Sequence, residues 1–103
     1  MNSALKNLKI EFTQVDHVAN RLKVLANPDR LKILCVLING ELNVQQIENS
    51  TEIHQPSLSQ QLTVLRKNAL VSTRREGKQI FYQLSDKNVL TIMETLHQIY
   101  CQG

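Results

Sequence analysis

The stretch from Asn43 to Leu65, NVQQIENSTEIHQPSLSQQLTVL, constrains this chain more than any other. It reads as two short helices joined by a tight connection. The second helix has an apolar side, Leu58, Leu62 and Leu65, at helical spacing. Its other side carries Gln55, Ser57, Ser59, Gln60 and Thr63, polar but uncharged. A merely solvated face more often carries Glu and Lys, whereas Gln, Ser and Thr are short-range hydrogen-bonding groups suited to base edges and phosphates. Pro56 stands where a first helical turn tolerates it, since its missing N–H would have no partner within the helix. The pair is predicted to be a helix-turn-helix, with its recognition helix at about Pro56–Lys67.

The 103 residues suit one domain, 1–103, with a modest core. No run is long and apolar enough to cross a membrane. The opening MNSALKNLKIEF reads as a charged amphipathic helix and not an export signal, so a cytoplasmic protein is expected. The net charge is +3, and its placement matters more than its size. Residues 1–52 balance six basic against six acidic side chains. Residues 53–85 hold Arg66, Lys67, Arg74, Arg75 and Lys78 against Glu76 alone, which concentrates positive charge on and just after the proposed recognition helix. A phosphate-contacting surface needs that placement, and a solvated cluster would show it too.

Leu5, Leu8, Phe12, Val15, Ala19 and Leu22 alternate at spacings of three and four, a heptad-like seam on one helix over roughly residues 3–25. The seam suits either a partner helix, for instance from a second subunit, or the chain's own core. Asn27-Pro28-Asp29 signals a helix start that continues through Leu31, Leu34, Cys35 and Ile38 and stops at Asn39-Gly40. Asn43 is placed to cap the third helix, with Gln46 completing a capping box. After the recognition helix, Val71–Arg75 and Gln79–Leu84 are strand candidates joined by a turn at Glu76-Gly77-Lys78. A basic hairpin directly after a helix-turn-helix is a wing, and Arg74, Arg75 and Lys78 are expected at the backbone or an adjacent minor groove. Ser85-Asp86 opens a last helix with Val89, Ile92, Met93, Leu96 and Ile99 as its apolar stripe. The predicted fold is mainly α with a β-hairpin wing, in the order α-α-α-α-β-β-α.

Together LANPDRLKIL (25–34), GEL (40–42), QPSLSQQLTVL (55–65) and LVSTRREGKQIFYQLSD (70–86) resemble the ArsR/SmtB family of dimeric winged-helix repressors over nearly the whole chain. The resemblance implies a homodimer through the first and last helices, with Leu5, Leu8, Phe12, Val15, Val89, Ile92 and Leu96 at the interface. It also implies a two-fold operator in double-stranded DNA, its half-sites roughly 34 Å apart. Many members sense metals through a two-cysteine box on the third helix, but here ELNVQQI puts Asn43 and Gln45 at those positions. Amides are poor ligands for such ions. A second metal class uses Asp and His on the last helix; Asp86 and His97 are present, but Asn88 and Tyr100 replace the remaining ligands. No metal and no cofactor are expected.

The chain looks most like the persulfide-sensing BigR/SqrR branch, which keeps a cysteine in helix 2 and another in the last helix, here Cys35 and Cys101, and a similar RRE(A/G)KQI(F/Y)Y wing. It departs in Gly77, where Ala is common, and in a short tail. Spacing alone does not show that the cysteines meet. A direct disulfide requires Cα atoms within about 7 Å, and a bridge with inserted sulfur spans more. One thiol must attack as thiolate. Cys101 is the candidate, because His97 precedes it by one turn, although the negative helix end opposes ionisation. Cys35 shares a face with Leu31, Leu34 and Ile38 and is expected to be partly buried and to resolve the adduct. His17 and His54 are read as incidental.

The expected function is a repressor that a low-molecular-weight persulfide or polysulfide releases from its operator, derepressing sulfide-handling genes. Competing readings are a same-fold repressor for oxidants or a metal, a thiol enzyme and a scaffold domain. Against an enzyme stand the missing Cys-x-x-Cys, phosphate-binding loop and nucleophile–base motif.

Overall fold

Asn27 and Pro28 set the first fixed point of the fold. A residue before proline is driven out of helical conformation. Asn27 is accordingly extended (φ −151°, ψ 126°), and its side-chain oxygen accepts the Arg30 N–H at 3.0 Å. One helix ends there and the next begins. The computed structural model describes residues 11–101. In it α1 spans Val15–Leu25, α2 Pro28–Val36, α3 Val44–Thr51, α4 Ser57–Lys67 and α5 Lys87–Tyr100. Strands β1 (Leu42–Asn43), β2 (Val71–Glu76) and β3 (Gln79–Leu84) form one antiparallel sheet in the order β1-β3-β2.

Local chemistry accounts for most of these boundaries. The capping box at α3 is present: Asn43 Oδ1 accepts the Gln46 N–H at 2.8 Å, and Gln46 Oε1 accepts the Asn43 N–H at 2.9 Å. Asp86 Oδ1 caps α5 by accepting the N–H groups of Asn88 and Val89, while its Oδ2 meets Arg21 of α1 at 3.1 Å. Arg21 also donates to the Asn68 carbonyl, so one guanidinium ties the end of α4 to the start of α5. In the β2–β3 hairpin Glu76 faces Gln79 across a two-residue loop, and Gly77 takes φ +63°, a conformation that suits glycine.

The helices and the sheet enclose one core. Ile33, Leu34 and Leu37 come from α2 and its cap, Ile47 from α3, Leu58, Leu62 and Leu65 from α4, and Val89 and Met93 from α5. Leu70 and Val71 close it at the start of β2. Thr51 is buried but satisfied, donating to the Ile47 carbonyl at 2.8 Å.

Four expectations change. Within the described residues α1 begins at Val15, not upstream of Phe12, and Leu5 and Leu8 lie outside the described residues. Helix α2 ends at Val36 rather than at Asn39-Gly40. Its exit is tightened by Ile38 and Gly40 N–H groups bonding three residues back, and Gly40 at φ +141° serves the turn instead of a helix cap. Strand β1, only two residues long, was not anticipated. Val89, expected at a dimer interface, is 1% exposed in the chain's own core, and Ile92 and Leu96 pack partly against that core.

The end of α4 yields a stability prediction. Leu70 N–H bonds to Leu65 O and Ala69 N–H to Arg66 O, both at 3.0 Å, the paired bonds of a Schellman cap. Its left-handed residue is Ala69, at φ 61°, where a Cβ is unfavourable. Ala69→Gly is expected to raise unfolding stability by about 0.5–1 kcal/mol, the relief of the Cβ clash less the added chain entropy. Urea denaturation should show a higher midpoint at unchanged slope.

Candidate nucleic-acid interface and thiol pair

Burial of Leu58, Leu62 and Leu65 turns the opposite side of α4 outward, and Gln55, Ser57, Ser59, Gln60 and Thr63 are all exposed there. Part of this face is ordered by its own hydrogen bonds. Pro56 offers no side-chain cap, and Gln55 takes that role: its Oε1 accepts the Ser59 N–H at 3.0 Å and the Ser59 hydroxyl at 2.7 Å. That leaves the two Nε2 protons of Gln55 to point elsewhere. Thr63 donates to the Ser59 carbonyl at 2.8 Å. The side chains of Ser57 and Gln60 make no hydrogen bond among the described residues. Gln61 faces the other way, where its Oε1 accepts from Arg30 at 3.0 Å.

The basic side chains flank this face unequally. Arg66 and Lys67 are exposed in the last turn of α4 and line a cavity of about 410 Å³ with Thr63 and Tyr82. Lys78, at the tip of the hairpin, lines a cleft of about 550 Å³ with Gln55, Asn43 and Gln45. Arg75 is exposed on β2. Arg74 is occupied: it is bound to Glu41 and Glu76 and lies over the Phe81 ring. Hydrogen bonding from Arg74 holds the Glu41 carboxyl below its ordinary pKa. The pair is therefore intact at neutral pH and is lost only as pH falls through that lowered value.

Cys35 and Cys101 are both free and exposed, and they stand apart. The expectation that Cys35 is partly buried by its apolar neighbours does not hold. Leu31 and Ile38 are themselves only partly covered, and two clefts open beside the thiol. The cleft walls still desolvate it enough to push its pKa up, and the charge of Cys101 acts in the same direction. His97 was expected beside Cys101 alone. It also lines, with Glu94, Ile38 and Asn39, a cleft of about 200 Å³ that contains Cys35. Cys101 caps α5, its N–H donating to the His97 carbonyl at 2.8 Å. Among the described residues no group of three or more His, Cys, Asp or Glu side chains could hold a metal ion. Both oxygens of Asp86 are engaged by helix amides and Arg21, and His54 lies 3.1 Å from Glu48. Sequence reasoning missed Glu41, Arg30 and Arg21, whose partners lie at least six residues away and often more than thirty, beyond any local pattern.

Two helices joined by a tight turn, with the second presented outward and a hairpin beside it, define a winged helix-turn-helix protein. Residues 27–73 match the profile described as "Bacterial regulatory protein, arsR family". A relative from Agrobacterium fabrum, the "Biofilm growth-associated repressor", is 49% identical over 84 residues, 82% of this chain and 72% of that protein. The chain belongs to the arsR family of bacterial regulatory proteins. Among solved structures, the transcriptional repressor BigR from Xylella fastidiosa matches with a TM-score of 0.82 at 43% identity, over 87% of this chain and 92% of that one. Reduced HlyU from Vibrio cholerae matches with a TM-score of 0.83 at 42% identity, over 86% and 94%.

The environment of Cys35 predicts its reactivity. Its alkylation by iodoacetamide, followed by peptide mass mapping across pH, should rise with a midpoint above that of an ordinary thiol. Cys101→Ser should lower that midpoint by removing the neighbouring charge. A midpoint at or below the ordinary thiol value would contradict the cleft's effect.

Proposed function

We propose that this chain is a cytoplasmic transcriptional repressor that binds duplex DNA as a homodimer and releases it when persulfide sulfur bridges Cys35 and Cys101. The observation that carries the DNA reading is the outward, uncharged hydrogen-bonding face of α4 flanked by Arg66, Lys67, Arg75 and Lys78. In this reading Gln60 pairs with adenine through its amide, and Ser57, Ser59, Gln55 and Thr63 meet bases or phosphates beside it. Membership in the arsR family and the repressors among its relatives favour the same reading.

The dimer reading draws on apolar surface. Phe12 and Tyr100 are each 78% exposed, and Val15, Val18, Leu22 and Ile99 are exposed with them. Val15, Val18 and Leu22 fall at i, i+3 and i+7 on α1, and an apolar stripe left exposed on one helix face marks an interaction surface. In this reading α1 and the end of α5 supply the interface, and Val89 takes no part.

Persulfide chemistry fits two accessible thiols that stand apart. Each cysteine thiolate attacks the outer sulfur of a low-molecular-weight persulfide and expels the corresponding thiolate, which leaves a cysteine persulfide. One cysteine persulfide then attacks the inner sulfur of the other and expels hydrosulfide, forming a trisulfide. Two persulfides are consumed, and two thiols and one hydrogen sulfide are released. The longer bridge needs less displacement than a disulfide would. A second reading, a general oxidant switch, is favoured by the exposure of both thiols, which admits peroxide or disulfides as well.

The test uses a duplex selected from a random pool, with binding followed by fluorescence anisotropy. Cys35→Ser and Cys101→Ser are expected to retain binding and to lose release by glutathione persulfide. A single mutant that is still released would overturn the two-thiol reading, and release of the native protein by peroxide or glutathione disulfide would favour the second. Gln60→Ala is expected to cost about 1–3 kcal/mol per half-site on the selected duplex and little on mixed sequence.

A further inference from the structure

Strand alternation separates the two adjacent arginines of the wing. Opposed residues of an antiparallel pair share a face, and neighbours along a strand do not. Arg75 opposes Ile80 and so lies on the face of Thr73, Tyr82, Val71 and Leu84. That is the side packed on the helical core, and Tyr82 there shares a cavity with Thr63, Arg66 and Lys67 of α4. Arg74 opposes Phe81 on the other face, in a row that continues to Asn43 of β1. The Thr63, Arg66 and Lys67 part of α4 therefore borders the side of the sheet that carries Arg75.

Arg74 is also engaged through each of its nitrogens. Its Nε donates to both oxygens of Glu41 at 3.0 Å, its Nη2 to Glu41 Oε1 at 2.6 Å and its Nη1 to Glu76 Oε2 at 2.8 Å. All three guanidinium nitrogens are engaged, and the group lies 4.6 Å from the centre of the Phe81 ring. An isolated exposed ion pair contributes little. A forked arginine shared between two carboxylates and stacked on an aromatic ring is the network geometry in which such pairs do hold structure. Glu41 lies in the segment just before β1 and α3, whereas Glu76 lies at the tip of the hairpin. The network therefore spans from the base of the helix-turn-helix to the end of the wing.

We propose that Glu41 and Arg74 are positioning residues for DNA binding: the Glu41–Arg74–Glu76 network on Phe81 fixes the wing, which meets the phosphates with Arg75 and Lys78 while Arg74 stays off them. This rests on the reading that the chain binds duplex DNA. It replaces the sequence expectation that all three wing cations make the same kind of contact.

The experiment measures binding of the full chain to a fluorescein-labelled mixed-sequence duplex as a function of KCl. Each phosphate contact contributes about 0.9 to the slope of log affinity against log salt. In a homodimer each substitution removes two such contacts, so Arg75→Gln and Lys78→Gln should each lower the slope by about 1.8. Arg74→Gln should leave the slope unchanged and weaken binding about fivefold, the scale of a lost network contact. Arg74→Lys keeps the charge but loses the fork, and should be as weak as Arg74→Gln. Glu41→Gln should weaken binding to the same degree, and the double substitution no further. A lowered slope for Arg74→Gln, full activity for Arg74→Lys, or tighter binding by Glu41→Gln would each make Arg74 a phosphate contact and overturn the proposal. Unchanged affinity in all three variants would overturn it as well. Absence of any binding by the native chain would overturn the DNA reading together with it, a result distinct from the others. Circular dichroism of each variant checks that the fold is retained.

Discussion

The burial of Leu58, Leu62 and Leu65 determines what α4 can present. Each is almost fully enclosed, by Ile33 and Leu34 of α2 among others. Complete burial of a leucine is worth about 1.5–3 kcal/mol, so the three together outweigh any single polar contact of this helix. Rotating α4 by one residue would lift leucines into water and press Ser59 and Thr63 into the core without partners, at about 1–3 kcal/mol for each orphaned group. The outer face is thus held by what lies beneath it. Its backbone positions are set before any ligand arrives, and Gln55, Ser59 and Thr63 are held further by their own hydrogen bonds.

Features written within one turn of chain are legible in the sequence alone. The caps at Asn27, Asn43 with Gln46, and Asp86 act on amides two or three residues away, so their spacing is their geometry. The amphipathic pattern of α4 likewise reports burial directly, whereas β3 is half-buried at Phe81 as well as at Ile80 and Tyr82, with Arg74 lying over the Phe81 ring. Strand β1 was not legible, because two residues carry no period. Leu42 and Asn43 become a strand only because Tyr82 and Phe81 of β3 come to lie opposite them. The same holds for Arg21, whose partners Asp86 and Asn68 stand far along the chain.

The candidate site divides along the same line. Sequence placed the polar residues of α4 on one face correctly, since one helix determines that face. It did not separate Arg74 from Arg75, because the difference lies in a pairing register and in Glu41, which is remote in sequence. For the thiols, helical spacing grouped Cys35 with Leu31, Leu34 and Ile38; Leu31 and Ile38 do border its clefts, whereas Leu34 turns into the core. Spacing could not say whether another element covers that side, and among the described residues none does fully. Val89 failed for the converse reason: an apolar stripe on α5 says that something is buried, and the chain's own core claims Val89 and Met93 before a partner can.

The structure also limits how an event at Cys35 could reach α4. Cys35 shares α2 with Arg30, whose Nε donates to the Val24 carbonyl at 2.6 Å and whose Nη1 donates to Gln61 of α4 at 3.0 Å. It shares the helix equally with Ile33 and Leu34, which pack into the core beside the α4 leucines. A bridge drawing on α2 therefore has two links to α4, of unequal strength. The apolar contacts sum over many atoms, whereas the Arg30–Gln61 hydrogen bond, one charged partner to one neutral, contributes about 1.5–3 kcal/mol. In the proposed switch the polar link would yield first, and a covalent bridge worth a few kcal/mol in one state over the other would be enough to break it. Such a bridge would shift α4 slightly relative to α2 rather than unfold the core. In a two-fold complex that change is felt twice, because both recognition helices must sit roughly 34 Å apart to enter successive major grooves.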